Sequence, residues 1–279
     1  MDQFTTHIKS KRGWLEFDIR ELYQYRDLIF LFVKRNYSTR YKQTILGPLW
    51  LIMNPLITVS LYAMVFGKIA DLSTDGVPQF VFYLCSNAIW TYFATCISST
   101  AGTFTANAGI MGKVYFPRLV MPISSVLTGL LDMAIQVAML FIIMIGYVLG
   151  GENFNINFSI VLSLVITLQV ALLGLGCGII VAALTTKYRD LVILVSFGIQ
   201  LWMYASPVVY TIDSIPDNYY KLYMLNPMAP IINTWRKVIL GAGEYDFYFW
   251  GISWIVTFGI LFFGIVLFNR VEKTFMDTV

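Results

Sequence analysis

Apolar runs long enough to cross a bilayer alternate with short polar ones along this chain. A helix needs about 20 mostly apolar residues to span the hydrocarbon. Six stretches meet that length, at roughly 49–67, 80–100, 120–149, 158–184, 191–210 and 247–268. They lack the two-residue alternation of a barrel strand, and hydrocarbon offers no partner to an unpaired backbone group, so each predicts a helix. The third and fourth exceed the bilayer's need and predict tilted or protruding helices.

Two further segments are apolar without reaching spanning length. Residues 18–37 place Ile19, Leu22, Tyr23, Ile29, Phe30 and Val33 near one helical face, with Arg20, Glu21, Asp27 and Lys34 mostly elsewhere. That pattern predicts a helix lying in the membrane interface. The segment "NPMAPIINTWRKVILG" (226–241) carries Arg236 and Lys237 inside a short apolar run, and is expected to dip into the membrane and return. No repeat or low-complexity linker divides the chain. The expected fold is an all-α integral membrane protein of one domain, 1–279. Residues 1–45 form a tail and the interfacial helix, 46–269 the six-helix region with re-entrant gate helices between spans five and six, and 270–279 a second tail.

Composition agrees with this pattern: 58% of the 279 residues are hydrophobic and 13% charged, against roughly a quarter charged in a soluble domain. A net charge of +3 is too small to suggest nucleic acid. Six spans put both termini on one side, and the basic residues say which. Fifteen Lys and Arg, among them Arg35, Arg40, Lys42, Lys113 and Arg118, fall on the terminal side; Lys68, Lys221, Arg236 and Lys237 fall on the other. The asymmetry predicts cytoplasmic termini. Cys85, Cys96 and Cys177 sit in apolar runs without metal-type spacing and read as small hydrophobes. No cleavable signal peptide is visible, since some forty polar or amphipathic residues precede the first long apolar run.

Absent chemistry narrows the function. The one histidine, His7, lies in the polar N-terminal tail, which excludes a membrane serine–histidine protease or a histidine-ligated metal enzyme. Asp132 is the one acidic residue well inside a span, so a two-aspartate protease is excluded too. An ionisable group at that depth is a functional candidate, but Gln136 one turn on also suits a helix–helix hydrogen bond. No phosphate-binding loop exists. Gly67-Lys68 and Gly112-Lys113 have Tyr62 and Asn107 five places before the glycine, and Ile69 and Val114 after the lysine. Any ATP-driven work requires a second subunit. "GLGCG" (174–178) sits in an apolar span, where Gly174 and Gly178 predict close helix packing, not a dinucleotide loop.

Three features suggest work. The loop "NAGIMGKVYFPRLVMP" (107–122) mixes Tyr115 and Phe116 with Lys113 and Arg118, punctuated by Pro117 and Pro122. It suits either a docking knob with exposed aromatics or an aromatic interface anchor. "TTKYRDL" (185–191) is a second charged loop on the same side. Aromatic rings at Trp50, Tyr62, Trp90, Trp202, Tyr204 and Tyr210 lie in or at the ends of spans. They suit stacking on sugar faces, or the ordinary aromatic belt.

Five segments together carry a family likeness: "RDLIFLFVKRNYSTRYKQTILGPLWLIMNPL", "KVYFPRLVMP", "TTKYRDL", "SPVVYTIDSIP" and "LNPMAPIINTWRKVILG". In this order and spacing the chain resembles the membrane subunit of type 2 ABC exporters, the permeases for O-antigen, capsule and teichoic acid. The resemblance implies a homodimer enclosing a channel in the bacterial inner membrane. It also implies two cytoplasmic ATPase subunits that bind the ATP and magnesium, and a polyprenyl-diphosphate-linked glycan as substrate. This chain would then have no catalytic residue, metal or cofactor of its own.

On the same basis Lys113, Tyr115, Phe116, Pro117 and Arg118 correspond to the ATPase-docking helix. Leu46 and Gly47 match the turn proposed to face the lipid carrier. Arg35, Arg40 and Lys42 lie at the depth of the diphosphate, whose oxygens they can pair with; the plainer role is topology and anionic lipid, worth on the order of 1 kcal/mol per charge. Trp50, Tyr62, Trp90, Trp202, Tyr204 and Tyr210 become candidate channel lining. A drug-type exporter of the same fold, or a membrane scaffold, are the alternatives.

Overall fold

The computed structural model of the chain describes residues 19–42, 47–111, 113–114, 116–152, 154, 161–185, 190–243 and 245–275. Every regular element among them is helical. Helices α1 (Ile19–Gln24) and α2 (Arg26–Tyr41) precede a single turn at Gly47–Leu49, where Gly47 takes a left-handed φ of 47° that an L side chain resists. Helix α3 (Trp50–Tyr62) follows and widens into π-type turns over Ala63–Ile69. Then come α4 (Gln79–Ala101), α5 (Thr103–Met111), α6 (Val120–Leu149) and α7 (Leu162–Thr185). The chain continues with α8 (Leu191–Tyr204), α9 (Asp217–Tyr223), α10 (Met228–Leu240) and α11 (Phe247–Phe275).

Among the described residues, five helices are long and apolar enough to cross a membrane: Trp50–Ile69, Gln79–Ala101, Val120–Leu149, Leu162–Thr185 and Phe247–Arg270. The expected span at 191–210 is shorter than its apolar run. Its helix has 14 residues, reaching about 21 Å at the usual rise. The ladder stops at Tyr204, just ahead of Pro207, which has no N–H to continue it.

Helix α4 is the hub, packed against α3, α6, α7 and α10. Its contact with α7 depends on the glycines singled out in the sequence. A Cβ on Gly174 would lie 2.5 Å from the Cys96 Cβ, and one on Gly178 2.6 Å from the Thr100 Cβ. Gly176 serves the opposite face, where a Cβ would lie 2.9 Å from the Leu261 backbone of α11. Small residues thus let α7 approach a neighbour on each side. Cys85 and Cys96 are buried, unbridged, and packed as apolar side chains.

Several polar groups in this interior are paired, while the Tyr83 and Thr100 hydroxyls of α4 have no hydrogen-bond partner among the described residues. The amide of Gln169 accepts from Trp250 Nε1 (2.8 Å) and donates to Ser253 Oγ (2.9 Å), and Ser253 donates to the Pro227 carbonyl (2.9 Å). The segment expected to dip and return is α10, tucked against α4, α7 and α11. Its Trp235 indole donates to the Cys85 carbonyl (3.1 Å), and Gly241, left-handed at φ 76°, ends it.

The expected interfacial helix runs on to Tyr41 and lies across α6. Ile29 and Phe32 are buried with Phe116, Val120 and Met121. Phe30 and Tyr23, expected on the same face as Ile29, are exposed. The outer faces of α3, α6, α8 and α11 are apolar and exposed, at positions such as Ile57, Ile142, Ile193 and Phe262. A surface of this kind suits hydrocarbon and not water.

Candidate functional site: a polar and aromatic groove

Between α3, α4, α6 and α8 lies a groove of about 890 Å³. Helix α3 contributes one stripe at four-residue spacing, Trp50, Asn54, Thr58 and Tyr62. Residues four apart share a helix face, and twelve residues of rise make this stripe about 18 Å long. Helix α4 supplies the facing stripe: Asn87, Trp90, Thr91, Thr95, Ser98 and Ser99. Asp132 and Gln136 enter from α6, Met203 from α8 and Arg40 from α2. Pro55, inside α3 and on the groove, has no N–H for the ladder at that turn.

One end is marked by an ion pair between Arg40 and Asp132. Asp132 is buried, while the Arg40 side chain is 41% exposed. The polar contact expected of Asp132 is therefore made across helices to Arg40, not through Gln136. The Oε1 of Gln136 is buried and has no hydrogen-bond partner among the described residues. At the other end Tyr62 donates its hydroxyl to Met203 Sδ (3.4 Å) and sets its ring edge-on to Tyr83. On α4 the hydroxyls of Ser98 and Ser99 donate back to the Ala94 and Thr95 carbonyls (both 2.5 Å), leaving their lone pairs to the groove.

A second cavity, about 500 Å³, adjoins the first and shares Arg40, Ser98 and Ser99 with it. Arg35 lines it, donating to Asn107 Oδ1 (2.7 Å) with its guanidinium over the Phe32 ring. Of the expected head-group residues, Arg35, Arg40 and Gly47 therefore line this connected space. Lys42 is exposed and lines neither cavity, and Leu46 lies outside the described residues.

Three of six expected lining aromatics, Trp50, Tyr62 and Trp90, line the groove. The other three have different surroundings. Trp202 donates to Asn226 Oδ1 (2.8 Å) and meets Phe93 edge-to-face. Asn226 also donates to the Ala205 carbonyl (2.8 Å) and Ser206 Oγ (2.9 Å) and accepts the Met228 N–H (3.1 Å). It clasps the end of α8 to the start of α10. Tyr210 donates to the Tyr204 carbonyl (2.9 Å) and accepts from Tyr223 (3.1 Å); Tyr204 itself is half-exposed. Behind them Arg236, buried in α10, donates to the Tyr210 carbonyl (3.1 Å) and lies over Phe82. Burial pulls its guanidinium down to about 10, against the opposing influence of Cys85, Asp75, Tyr223 and Asp213.

In the loop before α6, Lys113 and Val114 are exposed. Phe116 corrects the expectation of an exposed aromatic: it is buried, its ring 5.8 Å from Phe32. Pro117 and Arg118 are half-buried, and Tyr115 lies outside the described residues. The polar stripe residues Asn54, Thr58, Asn87, Thr91 and Thr95 were missed by sequence reasoning. Their four-residue recurrence through otherwise apolar spans was the available signal.

A helical membrane-type bundle with a hydroxyl-, amide- and aromatic-lined groove suits a transport subunit. The chain belongs to the ABC-2 type transporter membrane family, matching it over residues 27–240. It is 27% identical to an O-antigen export system permease protein RfbA of Klebsiella pneumoniae, over 90% of this chain and 94% of that protein. To the RfbA protein of Myxococcus xanthus it is 29% identical, covering 79% and 83%. To the polysialic acid transport protein KpsM of Escherichia coli it is 23% identical, covering 88% and 93%.

Proposed function

We propose that this chain is the channel-forming subunit of an ATP-driven exporter. It moves a polyprenyl-diphosphate-linked polysaccharide of O-antigen type out of the cytoplasm across the bacterial inner membrane. The observation that carries the reading is the groove. Indole and phenol rings at Trp50, Tyr62 and Trp90 offer flat faces to sugars, and the amides and hydroxyls between them exchange hydrogen bonds with a polyol. Among the described residues, Arg40 and Asp132 are the charged groups lining the groove, too few to select a small ion. Arg35 and Arg40, with Lys42 nearby in sequence, supply positive charge for the diphosphate.

The fifteen-to-four distribution of Lys and Arg supports cytoplasmic termini, with this basic end of the groove facing the cytoplasm. In this reading two copies face one another so that two grooves make a channel, and each docks an ATPase through Lys113–Arg118. Phe116, anchored under α2, ties that loop to the helix carrying Arg35 and Arg40. α9 and α10 form the gate on the far side. The sixth crossing in this reading is the apolar segment 191–210, in which α8 covers about 21 Å of the roughly 30 Å core and the turns up to Tyr210 cover the rest. Capsule-type polymer is the second cargo, favoured by the likeness to the polysialic acid transporter.

Native mass spectrometry of the gently purified chain tests the assignment. Two copies with two ATPase subunits and a bound polyprenyl-linked glycan are expected. A chain recovered without an ATPase, under conditions that preserve other ABC transporters, would contradict it.

A further inference from the structure

Arg35 lines the smaller cavity, and its partners among the described residues are neutral. Its guanidinium donates to Asn107 Oδ1 (2.7 Å) and Asn36 Oδ1 (3.1 Å) and lies over the Phe32 ring, 4.7 Å from the centroid. Nη2 makes both hydrogen bonds, so both of its hydrogens are spent. A guanidinium grips a phosphate through two parallel N–H bonds, and each such pair, Nε with Nη2 or Nη1 with Nη2, includes Nη2. To clamp an anion, Arg35 must release one of its two asparagines. Asn36 is the one to yield: it follows Arg35 on the same helix, where adjacent residues do not face each other, and its bond is the longer.

The bond that is kept reaches another element. Asn107 belongs to α5, and its amide is oriented at both ends: Nδ2 donates to the Thr103 carbonyl (2.9 Å) while Oδ1 accepts from Arg35. Phe32, under the guanidinium, meets Phe116 with ring centroids 5.8 Å apart. The exposed Lys113 and Val114 lie between these two supports in the chain. We propose that Asn107 is a positioning residue of the head-group site: it holds Arg35 ready to clamp a diphosphate, and the clamped diphosphate in turn holds α5 and the docking loop after it against α2. This rests on the lipid-diphosphate reading above and adds the residue that joins the head group to the docking loop. The coupling runs both ways by linkage. If a seated Asn107 raises the affinity for diphosphate, bound diphosphate seats Asn107 by the same factor.

The test uses the full chain in phosphatidylcholine nanodiscs, with polyprenyl diphosphate, polyprenol and phosphatidylglycerol as probes. Affinity is read by native mass spectrometry, and the state of α5 by hydrogen–deuterium exchange over residues 103–111. In the wild type, polyprenyl diphosphate should bind well above polyprenol and slow exchange in 103–111. Asn107→Ala should weaken its binding about tenfold, the scale of a charge-assisted hydrogen bond, and abolish the slowing. Asn36→Ala frees one Nη2 hydrogen and should bind about threefold tighter, with the slowing kept. A merely structural asparagine at 107 predicts neither the ligand-dependent slowing nor the opposite signs of the two variants.

If Asn107→Ala binds polyprenyl diphosphate and slows exchange as the wild type does, the positioning role is wrong and the exporter reading stands. Binding in the wild type without slowing over 103–111 overturns the coupling in the same way. If polyprenyl diphosphate binds the wild type no better than polyprenol, the head-group reading falls and this inference with it. Phosphatidylglycerol matching polyprenyl diphosphate in affinity and slowing would assign the cavity to ordinary anionic lipid and overturn both. Should Asn107→Ala not remain folded, Asn36→Ala decides, since weaker binding there contradicts the release of Asn36.

Discussion

The two faces of α4 are built for opposite purposes. Toward α7 the surface is closed: Gly174 and Gly178 admit Cys96 and Thr100 at contact distance, and nearby Gln169 satisfies Trp250 and Ser253. Toward α3 the same helix presents Asn87, Thr91, Thr95 and Ser98 to an open groove, with a buried carbonyl at Gln136 left over. Dry, close packing stabilises; polar side chains that line open space are a surface awaiting a ligand. Substitutions on the seam should therefore cost folding, and those on the groove should cost transport.

The largest contrast is expected between glycines. Gly174→Leu forces side-chain atoms into the Cys96 contact and should destabilise the chain by about 3 kcal/mol, read as loss of the monodisperse peak in detergent gel filtration. Gly259→Leu, with open space around its Cβ position, should leave that peak unchanged. Next is a pair of glutamines. Gln169→Leu strands the Trp250 indole N–H, leaves Ser253 with its bond to the Pro227 carbonyl, and should cost about 1–3 kcal/mol in thermal unfolding. Gln136→Leu removes an unsatisfied carbonyl, so stability should hold or rise while export falls.

The smallest effect is predicted at Trp50, which is 46% exposed. Trp50→Ala should leave unfolding unaltered and reduce export about fivefold, the scale of one aromatic stacking contact. Export is measured in each case as surface polysaccharide in a deletion strain complemented with the variant.

Much of the seam was legible in the sequence and much of the groove was not. Five spans follow from length and apolarity, and Gly174 and Gly178 announce a close approach by their spacing. That Gly176 seats α11 depends on which way α7 faces, a matter of tertiary packing. The end of α8 was signalled by Pro207, yet apolarity continues to Tyr210 and obscures it. On the groove, Trp50, Tyr62 and Trp90 were found because rings stand out, whereas neutral Thr and Asn at four-residue spacing do not. Arg40 and Asp132 lie 92 positions apart, and no local pattern joins them. Phe116 looked exposed because its neighbours are charged; its partner Phe32 comes from another helix.

The most direct measurement is site-specific photocrosslinking during active export. A photoreactive residue is placed at Thr58 or Thr95 on the groove, and for comparison at Ile142 or Phe262 on the exposed apolar faces. Glycan attached at the groove positions and absent from the outer ones is the predicted result. Glycan captured at Ile142 or Phe262, with none at Thr58 or Thr95, would show that the polymer passes elsewhere and contradict the account.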